Sequence, residues 1–185
     1  MKIVCVNGSP RKNSNSAGIA QHFCETAQKK GAELKTYFIN KLDYKGCQGC
    51  NACKEKSEKC VLQDGLTEVL EEIRSCDLLL MTSPVYYGDV SSQMKAFIDR
   101  NYSFVDKDFT PRLASGKKTL FVLSQANPDE KAFADIYSRY SSFYKMMGFT
   151  DCGVIRACGV RGPGEVAGRE DIMKLAEEKV LQIFA

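Results

Sequence analysis

The chain has 185 residues, 44% of them hydrophobic and 26% charged, with a formal net charge of +3 at neutral pH. That length and balance fit one soluble domain with a sizeable core, and the charge is too small to imply a nucleic-acid or membrane partner. The longest strongly apolar runs, such as Leu78–Met81 and Leu120–Leu123, are far too short for a bilayer span. Met1 leads through one short apolar stretch into Asn7-Gly8-Ser9-Pro10-Arg11, so the expectation is a cytoplasmic protein without a secretory signal.

In chain order, Lys2–Val6 reads as a buried strand running into a turn at Asn7–Pro10. From Ala17, residues Ile19, Ala20, Phe23, Cys24 and Ala27 mark one face of a helix that stops at Gly31, and Leu34–Ile39 reads as a second strand. A polar, cysteine-rich loop at 44–63 follows. Asp64 is placed to cap a helix with the face Leu66, Val69, Leu70 and Ile73, before a third strand at Asp77–Thr82. Val90, Met94, Phe97 and Ile98 read as the core face of a third helix, and Lys118–Leu123 as the fourth strand. Phe133, Ile136, Tyr140, Phe143 and Met147 form a helical stripe ending at Gly148. Phe149–Ala157 contains a fifth strand, and Ile172–Phe184 a last helix.

Strands that are continuous apolar runs, alternating with helices, predict a parallel sheet covered on both faces. Five strands fit a flavodoxin-like α/β three-layer sandwich of order 2-1-3-4-5, formed by residues 1–185 as a single domain, better than the six-strand dinucleotide fold. Ligands of such sheets sit outside the carboxyl ends of the strands where the strand order reverses, here between strands one and three.

The first of those loops carries Ser9, Arg11, Asn13, Ser14, Asn15 and Ser16 and opens into a helix. Hydroxyls, exposed N–H groups and the positive end of the helix dipole favour a phosphate. The loop has neither G-x-G-x-x-G nor a P-loop pattern, so a pyrophosphate site or NTPase is not supported. A polar turn with a helix cap is the plainer alternative. The second loop reads Ser83-Pro84-Val85-Tyr86-Tyr87-Gly88, stiff at Pro84 and permissive at Gly88, with two aromatics able to stack on a flat ring or simply to pack on the next helix. Ser124 and Asn127 lie in the neighbouring loop after strand four. Phosphate at one end and a planar heterocycle at the other describe FMN.

Val6-Asn7-Gly8-Ser9-Pro10-Arg11 through Asn15-Ser16 resembles the phosphate loop of NADPH-dependent FMN reductases and iron–sulfur flavoproteins. Ser83–Gly88 followed by Lys95-Ala96-Phe97-Ile98-Asp99-Arg100 resembles their isoalloxazine loop and the helix after it. The resemblance implies FMN, a homodimer or homotetramer, and a flavin edge open to a second reactant. It makes the chain an FMN-dependent oxidoreductase that takes electrons from NAD(P)H or a protein donor and passes them to a small-molecule or protein acceptor. No side chain is assigned as acid or base, because the chemistry belongs to the flavin.

Nine cysteines are many for this length. Cys5, Cys24, Cys76, Cys152 and Cys158 stand among apolar neighbours and read as buried small hydrophobes. Cys47, Cys50, Cys53 and, six residues on, Cys60 are crowded into one segment whose thiolates suit a single [4Fe–4S] cluster, as the iron–sulfur members of the resembling family carry. Zinc, cysteines without metal, and an adventitious disulfide stay open. A cluster-free NAD(P)H-dependent FMN or quinone reductase is the alternative reading, and a flavin-free module stabilised by zinc the second. His22, the single histidine, lies off the apolar face, so Ser-His-Asp or Cys-His hydrolysis is not expected. Asp99 and Arg100 read as structural or subunit contacts, and Tyr37 and Tyr44 receive no role.

Overall fold

The computed structural model describes all of residues 1–185. Strands β1 (Lys2–Asn7), β2 (Glu33–Phe38), β3 (Leu78–Tyr86), β5 (Lys118–Ser124) and β6 (Thr150–Ala157) pair in parallel in the order β2-β1-β3-β5-β6. Counted among the parallel strands alone, this is the expected order 2-1-3-4-5. The sixth strand, β4 (Asp89–Val90), is a two-residue antiparallel arm on β3.

The helices are α1 (Asn15–Lys29), α2 (Ala52–Glu55), α3 (Leu66–Ser75), α4 (Ser92–Arg100), α5 (Asp135–Met146) and α6 (Glu170–Phe184). None is long and apolar enough to cross a membrane.

Successive side chains of a strand point to opposite faces, and the three central strands are apolar on both. Val4 and Val6, Leu79 and Met81, and Phe121 and Leu123 join one core with α3, α4 and α5. Ile3 and Cys5, Leu78 and Leu80, and Leu120 and Val122 join the other with α1 and α6. The result is a three-layer sandwich in which every parallel strand opens at the same end.

Several boundaries differ from the sequence reading. Strand β3 runs on to Tyr86, so Ser83–Tyr86 is strand rather than loop. Past Thr82 it has lost β1 as a neighbour, and the N–H that Pro84 lacks is missed less there. Val90 belongs to β4 and not to the helix, which begins at Ser92. Phe133 lies ahead of α5 at φ 61°, and Phe143 is half exposed, while Tyr144, fully buried, replaces it in the core stripe. Cys5, Cys24 and Cys76 are buried as expected, and Cys152 and Cys158 only partly.

One carboxylate ties α5 to β6. Asp151 accepts from the Tyr137 hydroxyl at 2.6 Å and the Gly153 N–H at 2.9 Å, and pairs with Lys145 at 3.0 Å. Burial alone would raise its pKa, but these donors hold it below the usual carboxylate range. A depressed folded pKa stabilises fully above the unfolded value of about 4 and is lost as pH falls through the folded one. Asp151→Asn is therefore expected to cost about 1–3 kcal/mol at pH 7 and much less at pH 2, measured by urea unfolding at both.

Candidate functional site

The turn after β1 is fastened to its neighbours through backbone. Gly8 N–H donates to Thr82 O at 2.8 Å, and Gly8 O accepts from the Ser91 hydroxyl at 2.6 Å. A Cβ on Gly8 would lie 2.7 Å from Met94 Cβ, so only glycine lets α4 approach this closely. Asn7 Oδ1 accepts from Ser9 N–H at 2.9 Å and Ser9 Oγ from Arg11 N–H at 3.2 Å, which curls the chain. Ser14 caps α1 by accepting from Ala17 N–H, and its hydroxyl meets that of Ser16 at 2.9 Å. The backbone N–H groups of Lys12, Asn13 and Ser14 have no partner within the chain. Unpaired donors at the mouth of a helix are suited to an anion.

The turn after β3 is a tight hairpin. Val85 pairs with Val90 and Tyr86 with Asp89, leaving Tyr87 and Gly88 as the two-residue tip. Both have positive φ, 50° and 78°, as a type I′ turn requires. Gly88 adopts this freely; Tyr87 does not, at a cost of roughly 1–2 kcal/mol. The strained Tyr87 side chain is fully exposed, packed on nothing in this chain. Tyr87→Asn, which creates the favoured Asn-Gly turn, is expected to raise the stability of the flavin-free protein by about 1 kcal/mol, read as a higher Tm.

Between these turns and the end of β5 lies a cleft of about 160 Å³. Its walls include Ser9, Arg11, Ser14, Asn15, Pro84, Val85, Tyr86 and Ser124, so two loops about 70 residues apart in sequence meet where strand order reverses. Ala126, Val160 and Arg161 also line it and were not found from sequence. The signal for Arg161 was its place after the last parallel strand, at the same sheet end.

The remaining residues read from sequence sit differently. Ser16 is buried behind Ser14, Asn13 borders a separate cleft, and Tyr87 and Gly88 form the hairpin tip. Asn127 Oδ1 accepts from Asp129 N–H at 2.9 Å and shapes its own loop. The Asn15 amide is engaged, donating to Gly162 O at 2.9 Å and accepting from Val166 N–H at 3.1 Å, so it anchors the loop after β6. Arg11 donates to Arg161 O at 3.0 Å, fastening the same loop.

A second pocket brings Cys47, Cys50, Cys53 and Cys60 together with Arg100 and Tyr102. The first two thiols are exposed and the others partly buried. No three cysteine, histidine or carboxylate side chains converge closely enough to hold a single metal ion. The loop is held by cations bonded to its carbonyls. Arg112 donates to Cys53 O at 2.5 Å, Arg74 to Glu58 O at 2.8 Å, and Arg100 to Lys45 O at 2.7 Å. Lys54 lies over the Tyr102 ring at 3.6 Å and donates to Tyr102 O and Val105 O. Burial pushes the Cys53 thiol up; Lys54 opposes this and the other three thiols reinforce it. Such a collar of positive charge favours an anionic occupant.

Elsewhere, His22 pairs with Glu177 at 2.8 Å on the surface between α1 and α6, consistent with its expected position off the core. Tyr37 donates to Glu68 at 2.7 Å and Tyr44 to Gln93 O at 3.0 Å.

Residues 1–139 match the family model described as NADPH-dependent FMN reductase. An iron-sulfur flavoprotein of Methanosarcina thermophila is 32% identical over 137 residues, covering 74% of this chain and 71% of the relative. One of Archaeoglobus fulgidus is 30% identical over 186 residues, covering 100% and 80%. Among solved structures, the NAD(P)H:quinone oxidoreductase from Methanothermobacter marburgensis matches with a TM-score of 0.76 at 16% identity, covering 100% of this chain and 98% of that one. An FMN-dependent NADH-azoreductase from Bacillus anthracis in complex with FMN matches at 0.74 and 16%, with 100% of both chains covered. At these identities the two structures speak for the fold.

Proposed function

Because the chain belongs to the NADPH-dependent FMN reductase family, and is thus a flavin-dependent oxidoreductase, we propose that it seats FMN in the cleft between the β1–α1 loop and the β3–β4 hairpin and carries a [4Fe–4S] cluster on Cys47, Cys50, Cys53 and Cys60. The donor is a nicotinamide or an electron-carrier protein, and the acceptor a small molecule or protein. Bound FMN supplies the redox chemistry, since it exchanges electrons in pairs or singly.

The single observation that carries this reading is the meeting of two complementary loops at the switch point of the sheet. One offers hydroxyls, Arg11 and the unpaired N–H of Ser14, with the unpaired N–H groups of Lys12 and Asn13 on the adjoining cleft that shares Ser14. The other offers a proline-stiffened edge with Val85 and Tyr86. The donor set fits a phosphate monoester, and the hairpin fits one side of a flat ring. Arg11 and Asn15 keep the loop after β6 closed against the first turn. Within the cysteine pocket, four thiols under a collar of cations fit a group with net negative charge.

The relatives named iron-sulfur flavoproteins support the second centre. Four thiols in one pocket suit a multi-iron group, and the same arrangement is compatible with zinc or with the cluster-free reductase. Anaerobic purification, FMN titration by flavin fluorescence, and iron and sulfide analysis test all of this. The expected result is one FMN and about four irons per chain after anaerobic reconstitution. Tight FMN binding with fewer than about two irons selects the cluster-free reductase, and no FMN binding removes the reading altogether.

A further inference from the structure

Arg100 has a completely buried side chain, and nothing in the flavin cleft uses it. It stands at the end of α4, one turn beyond Phe97 on the same face. Its Nε donates to Cys60 Sγ at 3.1 Å. Its Nη1 donates to Lys45 O and to Asp64 Oδ2, both at 2.7 Å, and its Nη2 to Leu62 O and Asp64 Oδ1, both at 3.3 Å. The guanidinium thus spans both ends of the cysteine loop, Lys45 before it and Leu62–Asp64 after it, and aims its remaining N–H at one thiol. An arginine is suited to this, because its planar fork offers five fixed donors.

The other end of α4 fastens the two turns that wall the flavin cleft. Ser91, its cap, donates to Gly8 O, and its own N–H donates to Ser83 Oγ at 2.9 Å. Along the helix, Gln93 O accepts from Tyr44, and Gly46 packs against Ala96. One short rigid helix therefore carries both sites.

Resting on the reading that the four thiols hold an iron–sulfur centre, we propose that Arg100 is a positioning residue that raises the reduction potential of that centre through its N–H···S bond to Cys60. Adding an electron increases the negative charge on the ligand sulfurs. A charge-assisted donor then stabilises the reduced form more than the oxidised one. Asp64 limits the effect by neutralising the arginine at 2.7 Å. The sequence-level reading of Arg100 as a structural or subunit contact captures the loop-holding part only.

The test is the midpoint potential of the centre, by anaerobic spectroelectrochemistry, in the intact protein and three variants. Arg100→Gln is expected to lower it, so that at the wild-type midpoint the ratio of reduced to oxidised centre falls about tenfold, about 59 mV for a one-electron couple. Asp64→Asn, which leaves the arginine and its bond to sulfur in place, is expected to raise it. Arg100→Lys, which keeps the charge but not the fork, is expected to fall between wild type and Arg100→Gln. A residue that only holds the loop gives midpoints that coincide, or that move in the same direction in Arg100→Gln and Asp64→Asn, and either result overturns the inference. Should Arg100→Gln fail to assemble a centre, Asp64→Asn decides alone: a midpoint unchanged or lowered overturns it. Wild-type protein without iron after reconstitution overturns the cluster reading itself, a separate outcome visible before any potential is measured.

Discussion

Gly8→Ala is expected to weaken FMN binding by about 10- to 100-fold, the equivalent of roughly 1–3 kcal/mol of overpacking. The added Cβ would come within 2.7 Å of Met94 Cβ and 3.2 Å of Met94 Cα. These are backbone-anchored atoms, so no rotamer change relieves the clash, and either α4 or the first turn has to move. Movement of either breaks the Ser91–Gly8 bond and parts the two turns that wall the cleft. Met94→Ala in the same background is expected to give no rescue, because it keeps the Cβ. Flavin fluorescence titration reads the affinity, and circular dichroism checks that the fold survives. Unchanged affinity in a folded Gly8→Ala protein would mean that the junction of first turn and α4 is irrelevant to FMN.

The second large effect concerns iron. Cys47→Ser, Cys50→Ser and Cys53→Ser are each expected to reduce iron after anaerobic reconstitution from about four per chain to well under one, while FMN affinity stays within about twofold of wild type. The separation is expected because the four thiols line a pocket of their own and none of them lines the cleft. Cys158→Ser is the matched control, a partly buried thiol outside that pocket whose loss leaves iron content unchanged. Equal iron in all four variants would locate any metal elsewhere. Loss of FMN together with iron would mean that the cysteine loop supports the cleft structurally.

The sheet was readable from sequence because its central strands are buried on both faces and so appear as uninterrupted apolar runs between amphipathic helices. Strand order pointed to the end of the sheet where folds of this kind hold their ligands, and eight of the residues chosen there line one cleft. Ser83–Tyr86 was harder, since a proline in a polar run signals a turn, and only the early end of β1 makes it tolerable as strand. Val90 and Phe133 are apolar at helical spacing, yet a tight hairpin and a positive φ remove both from their helices. Tertiary geometry of that kind leaves no periodic trace. Asn15 was read as a phosphate ligand from its type, but its partners Gly162 and Val166 lie nearly the whole chain away. Arg100 was the subtlest case. It was read as a structural or subunit contact; its spacing three residues after Phe97 puts it on the buried face, but nothing in the sequence shows that it bonds Cys60.

A crystal structure of the protein with FMN tests the central claim most directly. The phosphate is expected within hydrogen-bonding distance, about 3 Å, of the N–H groups of residues 12–14, with the isoalloxazine against Val85 and Tyr86. Phosphate density bound anywhere else, with the turns after β1 and β3 left empty, would contradict it.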